Sequence, residues 1–168
     1  MYKIRHNLTT DALISIYYTL CYPHLTYCIP IWASTWPSFL NKLAVAQRKV
    51  IRCIFFLGKF ESVGDYFTTK KLLKLESIHK YFSLLLIYKM LNFRTNDIFG
   101  FVDNFVHTIS SNVDLISPQF RTALFKNSIL CSGPEIFNTL PLNIKKIIKK
   151  SNYQLFKREV RDHILKSS

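Results

Sequence analysis

Three residues near the start of the sequence could bind a zinc ion: Cys21, His24 and Cys28. On an unbroken helix their spacing would place all three on one side, and Zn²⁺ accepts both thiolate and imidazole ligands. The set lacks the Cys-x₂-Cys spacing of a zinc-binding turn, however, and a fourth ligand would have to come from distant Cys53 or Cys131. Four irregularly spaced cysteines also do not indicate a disulfide framework. We therefore expect reduced thiols that pack as small apolar side chains, and no bound metal.

A catalytic pair of carboxylates is not evident in the sequence. Two-metal phosphoryl chemistry needs carboxylates held together around paired Mg²⁺ ions, but the 10 acidic residues are scattered and no two aspartates are adjacent. The closest groups, Glu61 with Asp65 and Glu159 with Asp162, have helical spacing and lie beside Lys or Arg. This pattern is typical of solvated, charged helix faces. We expect no catalytic residue and no cofactor in this chain.

The sequence is strongly basic, with 23 Lys and Arg residues against 10 Asp and Glu and a formal net charge of +13. Such an excess indicates a polyanionic partner, because surplus cations repel one another unless phosphates neutralise them. Two basic clusters contain no acidic residue, and clusters of this kind bind phosphates without reading base sequence. We expect them to contact an RNA/DNA duplex or single-stranded nucleic acid. The first cluster is Lys42, Arg48, Lys49 and Arg52, and the second is Lys145, Lys146, Lys149 and Lys150.

Aromatic residues are abundant, at 15% of the chain, and several lie between positions 17 and 36. They could stack on nucleic-acid bases, since every base has an aromatic face. At helical spacing, however, aromatic side chains more often fill a core. The residues in question are Tyr17, Tyr18, Tyr22, Tyr27, Trp32 and Trp36.

The first basic cluster falls on a predicted amphipathic helix over residues 37–58. Pro37 suits a first helical position, and Gly58 is typical of a residue that ends a helix. Apolar residues recur with a period of 3.6 and define one face, while the four cations occupy the other. The apolar face consists of Leu40, Leu43, Ala44, Val50, Ile51 and Ile54.

The remaining periodicity predicts a mainly α fold with at most a minor strand element. Only four glycines and six prolines argue against a turn-rich β architecture, and 49% hydrophobic residues are enough for a core. Thr10 and Asp11 could cap a first helix that Pro23 stops or kinks, and two capping boxes are expected at Ser62 and at Ser151. The predicted helices cover residues 10–23, 25–31, 62–73, 76–92, 128–138, 141–150 and 151–164, with a possible strand over 105–109.

A membrane anchor is the alternative to a nucleic-acid-binding domain. Residues 12–41 contain no charged side chain, and a spanning helix needs about 20 apolar residues. Three prolines and scattered Ser and Thr make the run patchy, which argues against a span. The alternative hypothesis is a small membrane protein anchored by residues 12–36 with a basic tail; otherwise we expect an intracellular, nuclear or cytoplasmic protein.

Three stretches, in the same order along the chain, resemble the non-LTR, LINE-type reverse transcriptases of jockey-like retrotransposons. Residues 17–27 (YYTLCYPHLTY), followed by Ile31 and Trp32, resemble the segment after the polymerase palm. Residues 40–54 (LNKLAVAQRKVIRCI) are similar to the next helix of that family. Residues 132–141 (SGPEIFNTLP), with Phe156-Lys157, resemble its carboxy-terminal signature. The sequence departs from the family at Cys28, where Gly is usual, and at Phe137, where Trp is usual.

The resemblance implies a thumb and post-polymerase region whose helices grip the template-primer duplex. The family's catalytic Asp pair, with its Mg²⁺, would lie in a palm domain upstream of Met1, so the resemblance assigns no catalytic residue here and implies a fragment inactive alone. The missing palm is an implied partner. A non-enzymatic module retained from such an element is a further reading. The expected segments are a thumb-like helical part over 1–60, a helical part packing on it over 61–95, an irregular connector over 96–125 and a basic helical part over 126–168.

Overall fold

The chain is mainly α-helical, as predicted. The structure, a computed structural model, describes residues 3, 5–33, 37–93, 114–117, 119, 121–149 and 152–167. Helices make up about three quarters of the described residues, which contain almost no strand. The strand predicted over 105–109 lies outside the described residues.

The first helical run continues past Pro23 instead of ending there. Helix α1 (Thr10–Ile16) begins at Thr9, whose hydroxyl accepts a hydrogen bond from the Ala12 N–H at 3.3 Å, so the cap lies one residue before the predicted position. A π-helical turn (Tyr17–Cys21) then leads into α2 (Tyr22–Thr26). Pro23 lacks an N–H and its ring crowds the carbonyl four residues earlier, and the wider π turn directly before it relieves both constraints.

A left-handed residue separates α2 from α3 (Ile29–Trp32). Cys28 has φ 50° and ψ 26°, a conformation that an ordinary helix cannot contain. The helix predicted over 25–31 is therefore divided in two. The Trp32 indole N–H donates to the Tyr27 carbonyl across this break.

Helix α4 (Pro37–Ile54) has the two faces that the sequence predicts. Ile51 and Ile54 are fully buried, whereas Lys42 and Arg48 are exposed. The helix ends four residues before Gly58, because Phe56 adopts a left-handed conformation (φ 55°) and the Leu57 N–H bonds back to the Arg52 carbonyl at 3.0 Å. This is a Schellman C-cap without glycine.

Helix α6 (Leu75–Phe93) is the centre of the fold, and packs against α2, α3 and α4. The short helix α5 (Gly64–Thr69) precedes it, and the Ser62 hydroxyl accepts from the Gly64 N–H at 3.3 Å near the predicted start. Helix α5 ends with a second Schellman cap, in which Lys71 has φ 52° and the Leu72 N–H bonds to the Phe67 carbonyl at 2.8 Å.

The carboxy-terminal helices also pack around α6. They are α7 (Ala123–Asn127), α8 (Ile129–Asn138), α9 (Leu142–Lys149) and α10 (Tyr153–Ser167), of which α8, α9 and α10 contact α6. Helix α7 lies at the end of the predicted irregular connector. Helix α10 is capped by Asn152, whose side-chain oxygen accepts from the Leu155 N–H at 3.0 Å, while the predicted cap Ser151 lies outside the described residues. One hydrophobic cluster joins all of these helices except α7, from Leu13 in α1 to Ile164 in α10.

Candidate nucleic-acid interface

One face of α4 carries three solvent-exposed cations. Lys42, Arg48 and Lys49 are all exposed, and the opposite face of the helix packs into the core. Within the described part of the chain, none of the three lies within 4.0 Å of a carboxylate; the ion pairs found there join Lys145 to Asp114 and Arg158 to Glu159. This face therefore presents positive charge that no described acidic side chain neutralises.

Arg52, the fourth predicted residue, is only half exposed. One of its terminal nitrogens donates to the Glu61 carbonyl oxygen at 3.4 Å. Its Nε is buried and has no hydrogen-bond partner among the described residues. A buried guanidinium N–H without an acceptor is unfavourable, and an anion beside it would supply one.

Arg48 and Arg52 line a cleft of about 440 Å³ between α4, the start of α5 and the start of α6. Lys74 adds a third cation, and Glu76 is the one carboxylate among the described lining residues. The remaining lining residues are uncharged: Asn41, Ala44, Gln47, Ser62, Val63, Gly64, Phe67 and Leu75. With three cations against one acid, the cleft favours an anionic group such as a phosphate.

Gln47 helps the apolar face of α4 to hold the helix in the rotation that leaves the basic face exposed. It lies in the middle of the apolar face and is only 4% exposed. Its side-chain nitrogen donates to the Tyr17 hydroxyl at 3.0 Å and to the Leu73 carbonyl at 2.9 Å. Sequence reasoning missed this residue, although an amide in the centre of an apolar stripe is itself a signal of a buried hydrogen bond.

Tyr17, the partner of Gln47, is fully buried. Burial raises the pKa of its hydroxyl to about 12, although the hydrogen bond from Gln47 partly opposes that rise. The phenol therefore stays neutral at physiological pH. It joins the π-helical turn to α4 through an uncharged hydrogen bond.

The second predicted cluster loses its first member. Lys145 is only 4% exposed: its ammonium lies 2.7 Å from Asp114 Oδ1, donates to the Asn138 carbonyl at 2.8 Å and lies over the Phe137 ring. A lysine held in this way does not reach an external phosphate, so its predicted role is corrected to a structural one. Its neighbour Lys146 is exposed.

For the two other lysines of this cluster, Lys149 and Lys150, the structure gives no side-chain position. Lys149 is the last residue of α9, but its side chain lies outside the description, and Lys150 falls outside the described residues. The structure does not bring the two clusters together through direct helix packing: α4 and α9 each pack on α6, and extensive contact between α4 and α9 is absent from the described residues.

The candidate zinc ligands do not form a site in the part of the chain that is described. No group of three or more His, Cys, Asp or Glu side chains there could hold a metal ion. None of the four cysteines, all of which are described, forms a disulfide bond. Cys53 and Cys131 are buried as predicted, Cys21 is half-buried, and Cys28 is exposed, so the expectation of burial is wrong for Cys28.

The predicted carboxylate groups lie at the surface. Glu61, Asp65 and Asp162 are exposed, and Glu159 is half-buried and pairs with Arg158 at 3.6 Å. No described helix has the length and apolar character needed to cross a bilayer.

Comparison of the chain with models of known protein families, with curated proteins and with solved structures found no match.

Proposed function

We propose that this chain binds the phosphate backbone of nucleic acid through the exposed face of α4. The observation that carries the proposal is the arrangement of Lys42, Arg48 and Lys49, which point away from the core with no carboxylate partner among the described residues. Arg52 extends this surface into the cleft, where its Nε has no described partner. Backbone contacts of this kind give affinity that depends on salt and hardly on sequence.

We further propose that the chain is the thumb and post-polymerase region of a non-LTR, jockey-like reverse transcriptase. The left-handed backbone at Cys28 supports this reading, because the family usually has Gly there and glycine adopts positive φ without strain. Cys28 therefore differs from the family in its side chain, while its backbone conformation is one that glycine adopts without strain.

The proposed carboxy-terminal signature also has a structural explanation. Gly133 packs so closely on α6 that a Cβ atom would lie 3.0 Å from Ile87 Cδ1. The Asn138 side chain forms two hydrogen bonds of 2.9 Å with the backbone N–H and carbonyl of Leu115. Both residues act through packing and hydrogen bonding, which supports a structural role for the motif and assigns it no chemistry.

The proposed surface differs from the predicted set by one residue. It consists of Lys42, Arg48, Lys49 and Arg52 on α4, of Lys146 and Lys149 on α9, and of Lys150, which lies outside the described residues, while Lys145 is excluded. These side chains bind and position a duplex or single strand for a palm domain of the parent polymerase, inside the cell. The proposal assigns no catalytic residue, metal or cofactor to this chain.

Affinity for an RNA/DNA heteroduplex tests the proposal. The variant Arg48→Glu/Lys49→Glu/Arg52→Glu should bind at least about tenfold more weakly than the wild type, because each reversal replaces attraction to phosphate by repulsion. The control Lys70→Glu/Lys71→Glu/Lys126→Glu makes the same change in net charge with exposed residues outside α4, α9 and α10.

Two results would overturn the proposal. One is an equal loss of affinity in the two variants, which would reduce the effect to net charge. The other is binding of the wild type to anionic lipid vesicles without measurable binding to the heteroduplex, which would favour a membrane surface as the partner.

A further inference from the structure

A second cleft, of about 360 Å³, lies between the π-helical turn, α6 and α10. Its volume lies within the range of small-molecule sites. Five of its nine described lining residues are aromatic, two are cations, and none is a carboxylate.

Four of the five aromatic rings of this cleft form two close pairs. The Tyr18 and Tyr22 ring centroids are 5.3 Å apart at an interplanar angle of 59°, and those of Tyr81 and Phe82 are 5.3 Å apart at 84°. Tyr18 is 37% exposed, so a ligand can reach it from solvent. Tyr18 therefore differs from its neighbour Tyr17, which is fully buried in the core.

The cations lie on one helix and face the aromatic groups. Tyr153, Lys157 and Arg161 follow one another at intervals of four on α10, so they share a face. Lys157 and Arg161 are exposed, and neither pairs with a carboxylate in the described part of the chain. Arg161 also acts on the phenols: burial raises the pKa of Tyr22 to about 12 and raises that of Tyr81, and the guanidinium opposes both rises.

The π-helical turn sets the position of Tyr18 at the mouth of the cleft. Turns of this kind insert an extra residue into a helix, and they occur frequently at functional sites. Tyr18 lies within the turn and Tyr22 directly after it. A tyrosine pair beside two cations that have no carboxylate partner among the described residues has the composition with which proteins bind an aromatic base attached to a phosphate.

We propose that this cleft binds one unpaired base of a single-stranded nucleic acid, with the Tyr18 ring stacking on the base, the tilted Tyr22 ring contacting its edge, and Lys157 and Arg161 holding the adjoining phosphate. The inference rests on the proposed nucleic-acid binding, and adds a site for a strand that has left the duplex. Stacking tolerates any base, so the site would select single strands over duplex without selecting a sequence.

The test compares an oligothymidylate of about ten nucleotides with an abasic oligonucleotide of equal length and charge. The wild type should bind the base-bearing strand roughly 5- to 150-fold more tightly, the range measured for one stacked base. Tyr18→Leu should abolish this preference without weakening abasic binding, whereas Tyr18→Phe, which keeps the ring, should retain it. Tyr27→Leu is the matched control, since Tyr27 is exposed and does not line the cleft.

The phosphate part of the site is tested by a matched pair of lysines on α10. Lys157→Gln should weaken binding of both oligonucleotides, and Lys166→Gln, at the exposed end of the same helix, should not.

Each result has a distinct meaning. Equal wild-type affinity for the two oligonucleotides, or a preference that survives in Tyr18→Leu, would overturn the cleft assignment and leave the α4 proposal standing. Binding of the heteroduplex but of neither single strand would do the same. If none of the three ligands binds, the proposed function itself fails.

Discussion

Lys145 and Asp114 form an ion pair with a distance of 2.7 Å from Nζ to Oδ1, although 31 residues separate them in the chain. Only 5% of the lysine side chain is exposed, against 45% of the aspartate side chain. The next residue, Lys146, is exposed. Two lysines that are equivalent in sequence therefore have opposite roles in the structure.

This pair gives a direct prediction. Lys146→Met should weaken heteroduplex binding, whereas Lys145→Met should leave it unchanged. Replacing a buried ion pair's lysine with an apolar side chain of similar length is often neutral for stability, and Asp114 can turn to solvent. Asp114→Ala should instead cost about 1–3 kcal/mol, because it leaves a buried ammonium with one partner fewer. Binding titrations and urea unfolding measure both effects; equal binding losses for the two lysine variants would contradict the assignment.

The burial of Lys145 could not be predicted from the sequence, because it depends on residues that are close in space and distant in the chain. The spacing of Lys145 and Lys146 predicts a basic helix, and α9 exists, but the burial of Lys145 depends on Asp114 and Asn138, which lie elsewhere in the chain. The faces of α4 were predictable because period 3.6 decides them locally. Helix ends were harder to predict from the sequence. Left-handed conformations at Cys28 and Phe56 end helices here, although the usual signal for such an end is glycine.

Removing the two hydrogen bonds of Gln47 should destabilise the fold. Gln47→Leu leaves the Leu73 carbonyl and the Tyr17 hydroxyl without their donor, and we expect a loss of about 2–4 kcal/mol in the free energy of unfolding. Gln154→Leu, at an exposed position on α10, should change it by no more than about 0.5 kcal/mol. Urea denaturation tests the difference. Similar stabilities of the two variants would show that the buried amide contributes little.

Stability should fall at alkaline pH through two phenols. Burial raises the pKa of both Tyr17 and Tyr22 to about 12, above the ordinary value of 10.0. Between pH 10 and 12 the unfolded chain has released these protons and the folded chain retains them, so stability is fully present below pH 10 and declines as pH rises through this window. Each phenol lowers the free energy of unfolding by at most about 1.4 kcal/mol per pH unit within this window.

The substitution Tyr17→Phe should make this decline less steep by the contribution of one group. Unfolding free energies measured at intervals from pH 9 to 12 would show it. A slope that is the same in wild type and variant would assign the alkaline transition to other groups.

Replacing Cys28 with glycine should stabilise the chain. A left-handed conformation costs an L-residue about 1–2 kcal/mol, and the greater freedom of glycine in the unfolded state removes part of this gain. We expect a net increase of about 0.5–1 kcal/mol for Cys28→Gly and none for Cys28→Ala, which keeps the strained backbone. The thiol is exposed, so little packing is lost. Thermal unfolding of both variants tests this, and an equal gain from alanine would point to the thiol instead of the backbone.

The salt dependence of heteroduplex binding is the most direct test of the α4 surface. The variant Lys42→Gln/Arg48→Gln/Lys49→Gln removes only exposed cations, and the control Lys70→Gln/Lys71→Gln/Lys126→Gln removes the same charge elsewhere. Each lost phosphate contact lowers the slope of log K against log salt by about 0.9. We predict a slope reduced by up to about 3 for the α4 variant and an unchanged slope for the control. A wild-type slope retained in the α4 variant would contradict the account.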